Sequence, residues 1–192
     1  MTKTKTSTYQ TQFKRRHEKK TNYAKRLGML KSKTPRIVVR KTNTRILVQA
    51  IAFNGKDDSV LAQAESKQLK EFGWHPTNNT PTAYLTGLLC GKRAKEKGVK
   101  KGNLDIGFAT PVHGSTVFGA LKGLIDAGVE LPADEKAFPS QERIEGRTIE
   151  AYAKSLGEAE FGRMFSKYAE SGFDVKSISK KFAETKQKIL GS

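Results

Sequence analysis

The chain has 192 residues, 36% of them hydrophobic, with 36 Lys and Arg against 19 Asp and Glu and a formal net charge of +17 at pH 7. That length suits one domain with extensions or two small domains. A single cysteine, Cys90, excludes an intramolecular disulfide and a cysteine-built metal site.

The charge is segregated. Residues 1–45 hold 15 of the Lys and Arg and one acid, Glu18, whereas the other 147 residues hold 21 basic and 18 acidic side chains. An arm of that kind repels itself, has little apolar surface to bury, and requires a polyanion. No stretch resembles a signal peptide and no run approaches the length of a membrane span, which predicts a cytoplasmic protein in a reducing compartment.

Residues 1–12 are rich in Thr and Lys, without hydrophobic period, and are expected to be disordered alone. Residues 13–30 place Phe13, Tyr23 and Leu27 among Lys and Arg. They are expected to become helical once phosphates neutralise them. The three do not form the continuous apolar stripe of a membrane-surface helix, so nucleic acid is preferred over an anionic membrane. Phe13, His17 and Tyr23 offer rings for stacking on unpaired bases, which suits RNA more than duplex DNA.

After Pro35, residues 36–40 and 45–53 are β-branched, apolar runs joined by four polar residues, the pattern of a hairpin. A turn around Gly55 leads to a third strand over 59–64, so the three make an antiparallel meander. Arg36, Arg40, Lys41, Asn43 and Arg45 collect on this hairpin, with Arg36 and Arg40 on one face by parity. A small phosphate platform is one reading; ordinary exposed hairpin charge is the other.

Residues 65–72 predict a short helix closed by Gly73. The longest helix is expected over 80–97, with Leu85, Leu88 and Leu89 as its ridge and Ala83, Gly87 and Gly91 as a small face for close approach to a sheet. Its lysine-rich end, 92–101, is explained by cations favouring a helix C-terminus, with a secondary RNA contact as the other reading. Residues 104–109 alternate like a fourth strand. Ser115 is positioned to cap a helix running to Ala127 and closed by Gly128. The preceding 110–115 loop, with His113 and Gly114, could attract phosphate, though a plain cap explains it as well.

These elements describe an α/β fold, a meander plus one further strand in a mixed sheet with packed helices. The expected organisation is a basic arm over 1–34, an α/β domain over 35–139 and a helical extension over 140–192. The extension has apolar residues too sparse for its own core.

No catalytic constellation is visible. The histidines His17, His75 and His113 are scattered, and Asp105 lacks the partner carboxylates of a two-metal nuclease. Cys90, among small residues on a helix, is expected to be packed and inert. A ribonuclease-H-type nuclease and a membrane or acidic-protein adaptor are the rival classes, and both lack their required pattern.

Several segments together resemble a known family. The run Leu30-Lys-Ser-Lys-Thr-Pro-Arg-Ile-Val-Val-Arg-Lys-Thr-Asn43 is similar to the hairpin signature of the 5S-rRNA-binding large-subunit ribosomal protein, eighteenth in the L series. So are Phe72-Gly-Trp74, Pro81-Thr-Ala-Tyr-Leu-Thr-Gly-Leu-Leu89, Leu104-Asp-Ile-Gly107 and the stretch from Gly114 to Gly128. Their order resembles the archaeal and eukaryotic branch, over about residues 13–135; Cys90 stands where a smaller residue such as Ala is expected.

The resemblance implies a fold of the translational-machinery type and a scaffolding role without cofactor, metal or catalysis. It also implies binding to 5S rRNA in the central protuberance, beside 23S-type rRNA, the fifth L-series ribosomal protein and other proteins there. Neither a membrane nor a small-molecule substrate is implied. Carried over, the RNA contacts fall on Phe13, Lys14, Arg15, Arg16, Lys19, Lys20, Tyr23, Lys25, Arg26 and Lys31 of the arm. Arg36, Arg40, Lys41, Asn43 and Arg45 of the hairpin and the His113-Gly114 loop complete the set.

Overall fold

Alternation sets the sheet. In β1 (Arg36–Lys41) Ile37 and Val39 point to one face, and the register Ile37↔Ala50 and Val39↔Val48 puts β2 (Ile46–Phe53) apolar residues beside them. β3 (Asp58–Glu65) adds Ala62 and Ala64 to that face and pairs antiparallel with β2, with a register shift between Ala50 and Ile51. β4 (Asn103–Asp105) pairs parallel to β1, giving the order β3-β2-β1-β4. The computed structural model describes residues 10–191; most of the segment expected to be disordered alone, residues 1–9, lies outside the described residues.

The mixed α/β sheet is as the sequence predicts, but its fourth strand is shorter than the alternating 104–109 run. The Asp105 carboxylate accepts the Gly107 N–H at 2.8 Å, and Gly107 turns at φ +65°. A short polar side chain bonding its own backbone two residues on makes a turn, and this one takes residues 106–109 out of the sheet.

The buried face carries α3 (Thr80–Glu96), which begins where Asn79 accepts the Thr82 N–H at 3.0 Å. Against it packs α4 (Thr116–Asp126). Here the small-residue face of α3 has a different partner from the expected sheet. A Cβ on Gly87 would overlap the Ala120 carbonyl, and one on Gly123 would overlap the Tyr84 carbonyl, so the two helices touch backbone to backbone. Ser115 is the N-cap residue of α4, yet its hydroxyl makes no cap bond and is buried without a hydrogen-bond partner. The predicted 65–72 helix is a 3-10 turn, Ser66–Phe72, ended by Gly73 at φ +81°.

The C-terminal stretch is helical throughout its regular elements. These are α5 (Gln141–Glu145), α6 (Arg147–Ser155), α7 (Glu158–Met164), α8 (Ser166–Glu170) and α9 (Ile178–Gly191), numbered after two short arm helices, α1 (Lys14–His17) and α2 (Tyr23–Leu30). Its apolar residues do not form a core of their own. Ile144, Ile178, Phe182 and Ile189 enter the main core, with the Phe182 ring tilted at 5.4 Å from Tyr84 and edge-on at 6.2 Å from Trp74. Ala153, Tyr168 and Val175 make a small satellite cluster.

Candidate nucleic-acid interface

The sheet's second face is polar at one end, and there the arm meets the hairpin. Arg36 is only 5% exposed; its Nη1 donates to Asp105 at 3.0 Å and its Nη2 to Asp58 at 2.9 Å. Arg26 of α2 reaches the same Asp58 oxygen at 3.0 Å, so one carboxylate ties the arm to the sheet. Arg40 donates to the Asp105 carboxylate at 3.0 Å and to its backbone oxygen at 2.6 Å. Burial pushes the Asp105 carboxyl up, but the charge and hydrogen bond of Arg40, the Gly107 N–H and the charge of Arg36 outweigh it. They hold the group below the usual carboxylate range. A second link joins the arm's end to β4, because Asn103 donates to Ser32 and Thr34 at 2.8 Å each.

The other predicted residues divide by location. On the arm, Lys14, Arg15, Arg16, Lys19, Lys20, Lys25 and Lys31 are exposed. The Phe13 and Tyr23 rings meet at 5.3 Å between centroids with their planes inclined at 54°, and Arg15 donates to the Thr21 hydroxyl at 2.9 Å. Lys20 pairs with Glu18 at 2.7 Å, and that hydrogen bond lowers the Glu18 carboxyl. Asn43 and Arg45 sit exposed at the hairpin tip, where Arg45 reaches Glu65 at 3.5 Å. His113 is exposed with its ring 6.5 Å from Phe118, and Gly114 turns at φ +69° just before α4.

Two clefts bring these groups together. A chamber of about 250 Å³ between α2 and the sheet is lined by Arg15, Lys20, Lys25, Arg26, Arg36 and Arg40, with Asp58 and Asp105 among them. A wider cleft of about 630 Å³ joins Arg15, Lys19, Lys20, Arg40 and Lys41 to the 106–117 loop. Phe13, Lys31, Asn43, Arg45, His113 and Gly114 line neither.

Sequence reasoning missed the two carboxylates that organise the site and the exposed apolar side chains of the loop. The signal for Asp105 was its place one turn before Gly107; nothing in the sequence paired Asp58 with Arg26. In the lysine-rich end of α3, Lys92 and Arg93 have structural partners, whereas Lys95, Lys97, Lys100 and Lys101 are exposed. Arg93 donates to the Gln63 carbonyl at 2.8 Å and to Gln68 at 2.9 Å, while Lys92 donates to the Ile189 carbonyl at 3.0 Å. Cys90 is buried against the Val48 carbonyl, and desolvation pushes its thiol up to about 12, the state of an inert thiol. Among the described residues no group of three or more His, Cys, Asp or Glu could hold a metal, and no helix is long and apolar enough to cross a membrane.

A family profile described as "Ribosomal large subunit proteins 60S L5, and 50S L18" matches residues 7–101, which span the arm, the meander and α3. The large ribosomal subunit protein uL18 of Korarchaeum cryptofilum is 45% identical over 183 residues, covering 94% of each chain. The chain belongs to the uL18 family. Other uL18 proteins agree: that of Methanobrevibacter smithii is 44% identical over 95% of each chain. That of Methanothermobacter thermautotrophicus is 43% identical over 94% of this chain and 95% of its own. As a uL18-family protein the chain is a structural constituent of the large ribosomal subunit in the cytoplasm, not an enzyme. Membership of that family gives the chain a ribosomal RNA partner.

Proposed function

We propose that the chain binds 5S rRNA and anchors it in the central protuberance, against 23S-type rRNA and beside the fifth L-series ribosomal protein. The observation that carries this reading is the exposed cationic arm that Arg26 ties to Asp58 beside the hairpin. Each Lys or Arg that neutralises a phosphate releases condensed counterions, so the arm supplies affinity. Shape recognition falls to the folded surface, because only a fixed array of donors can distinguish one RNA fold from another.

In this reading residues 1–34 are the RNA-binding arm, 35–139 the recognition domain and 140–192 a helical extension that buttresses it. The phosphate contacts come from the exposed Lys14, Arg15, Arg16, Lys19, Lys20, Lys25, Lys31 and Lys41, continued by Asn43, Arg45, His113 and Gly114. Arg26, Arg36 and Arg40 hold the platform in shape and add fixed positive charge. Phe13 and Tyr23 provide a pair of rings in contact at the arm's start.

The test is a salt titration of affinity for 5S rRNA against an unrelated RNA of equal length. A preference of about tenfold or more at physiological salt, equivalent to about 1.4 kcal/mol, is expected. Equal affinities that fall together, with a slope of about 0.7–0.9 per phosphate neutralised, would reduce the protein to a non-selective cation.

A further inference from the structure

The wider cleft has a composition that phosphate binding alone does not explain. Its rim is cationic, with Arg15, Lys19, Lys20, Arg40 and Lys41; among the described residues no Asp or Glu lines it, and the carboxylates paired with this rim are Glu18 on Lys20 and Asp105 beneath Arg40. Its wall is apolar, and two large side chains there face water: Phe108 is 46% exposed and Val112 is 57% exposed. Ile106 and Val117 continue the wall.

The backbone makes this wall on purpose of geometry. The Asp105–Gly107 turn throws residues 106–109 off the sheet, away from the core that the alternating pattern would otherwise have given them. Arg40 is fixed beneath by Asp105, so it supplies charge without moving. Lys41 stands at the α4 side, its Nζ 3.5 Å from the Thr116 hydroxyl. On the arm side the chain turns through Lys19 at φ +53°, which sets Lys19 and Lys20 along the opposite lip.

An aromatic face beside a rim on which cations outnumber carboxylates is complementary to a flat heterocycle carrying phosphates. We infer that this cleft receives an unpaired nucleotide of ribosomal RNA, its base against Phe108 and Val112 and its flanking phosphates on Lys41 and the Arg15–Lys20 lip. The inference rests on the rRNA-binding reading and adds to it a site for a single unstacked base. A double helix keeps its base faces stacked and hidden, so only an unpaired base can offer a face to Phe108. A run of Asp and Glu would satisfy the cations but brings no aromatic plane to the wall.

The experiment uses the full chain and two RNA probes, an oligouridine of about ten nucleotides and a duplex of equal length, a size within the usual single-strand footprint. Phe108→Ala is expected to weaken oligouridine binding about tenfold, as loss of one base stack does, and to leave duplex binding and the salt slope unchanged. Phe108→Trp should restore it, since any large ring can stack. Lys41→Gln should instead lower the salt slope by about one phosphate. Wild-type affinity of Phe108→Ala for oligouridine, failure of Phe108→Trp to restore a loss, or equal losses on both probes would overturn the site. So would displacement of oligouridine by polyglutamate that depends equally on Phe108. The 5S reading is judged separately: a chain with Phe108-dependent oligouridine binding but no 5S preference keeps the nucleotide site and loses that reading.

Discussion

Asp105 is the side chain on which the interface geometry depends most. Its two carboxylate oxygens serve Arg36 and Arg40 separately, and one of them also takes the Gly107 N–H. Its side chain is 7% exposed and that of Arg36 6%, so solvent screens their pair little. Asp105→Asn would keep the shape but leave the buried Arg36 guanidinium with Asp58 as its remaining counter-charge. Because Asp58 remains, the cost is expected at about 3 kcal/mol, the lower end for a broken buried pair, read by urea unfolding. The pH dependence has a definite sign. The folded carboxyl is depressed, so its contribution is fully present above the unfolded value, about 3.9, and is lost as pH falls through the lower folded value. Stability should therefore drop in the acid range below about pH 4, and the drop should be smaller in the Asn variant.

The pairing of α3 with α4 rests on glycine at the crossing. A Cβ at Gly87 would meet the backbone of Ala120, which cannot step aside without separating the helices. Gly87→Ala is expected to destabilise by about 3 kcal/mol, the upper end for an overpacked core. Gly162 in α7 provides the contrast, because an added Cβ there meets nothing within 4 Å. Gly162→Ala should stabilise by about 0.5–1 kcal/mol, since it only restricts the unfolded chain and favours helix. Thermal unfolding of the two variants reads the opposite signs. Sequence reasoning found the small-residue face of α3 but assigned it to the sheet. Gly119 and Gly123 in α4, four apart, carry the matching signal, and periodicity cannot say which two faces meet.

For the molecule as a whole, the arm and the core are separable in their energetics. The main core begins at Ile37, and the arm is held by polar links, Arg26 to Asp58 and Asn103 to Ser32 and Thr34. Removing residues 1–34 is expected to leave cooperative unfolding and helix content nearly intact while greatly weakening binding to 5S rRNA. Circular dichroism and an RNA titration measure the two effects together. Unchanged affinity would assign binding to the hairpin and the 106–117 loop alone. The C-terminal helices differ from the arm in this respect. Phe182 and Ile189 fill the main core, so truncation before α9 should unfold the protein rather than trim it.

The sequence by itself determined what depends on near neighbours. The meander follows from β-branched apolar runs and their turns, the long helix α3 from its leucine ridge at Leu85, Leu88 and Leu89, and the polyanion partner from 15 cations against one acid. Local signals also misled where a side chain acted on its own backbone, as when Asp105 turned an alternating run into a loop. The tertiary structure decided everything that joins distant residues. Arg36 meets Asp105 across 69 residues, Arg26 shares Asp58 with it, and the cleft at Phe108 exists only because arm, hairpin and loop converge. Periodicity and charge describe which face of an element is apolar or basic; the partner of that face is set by packing the whole chain at once.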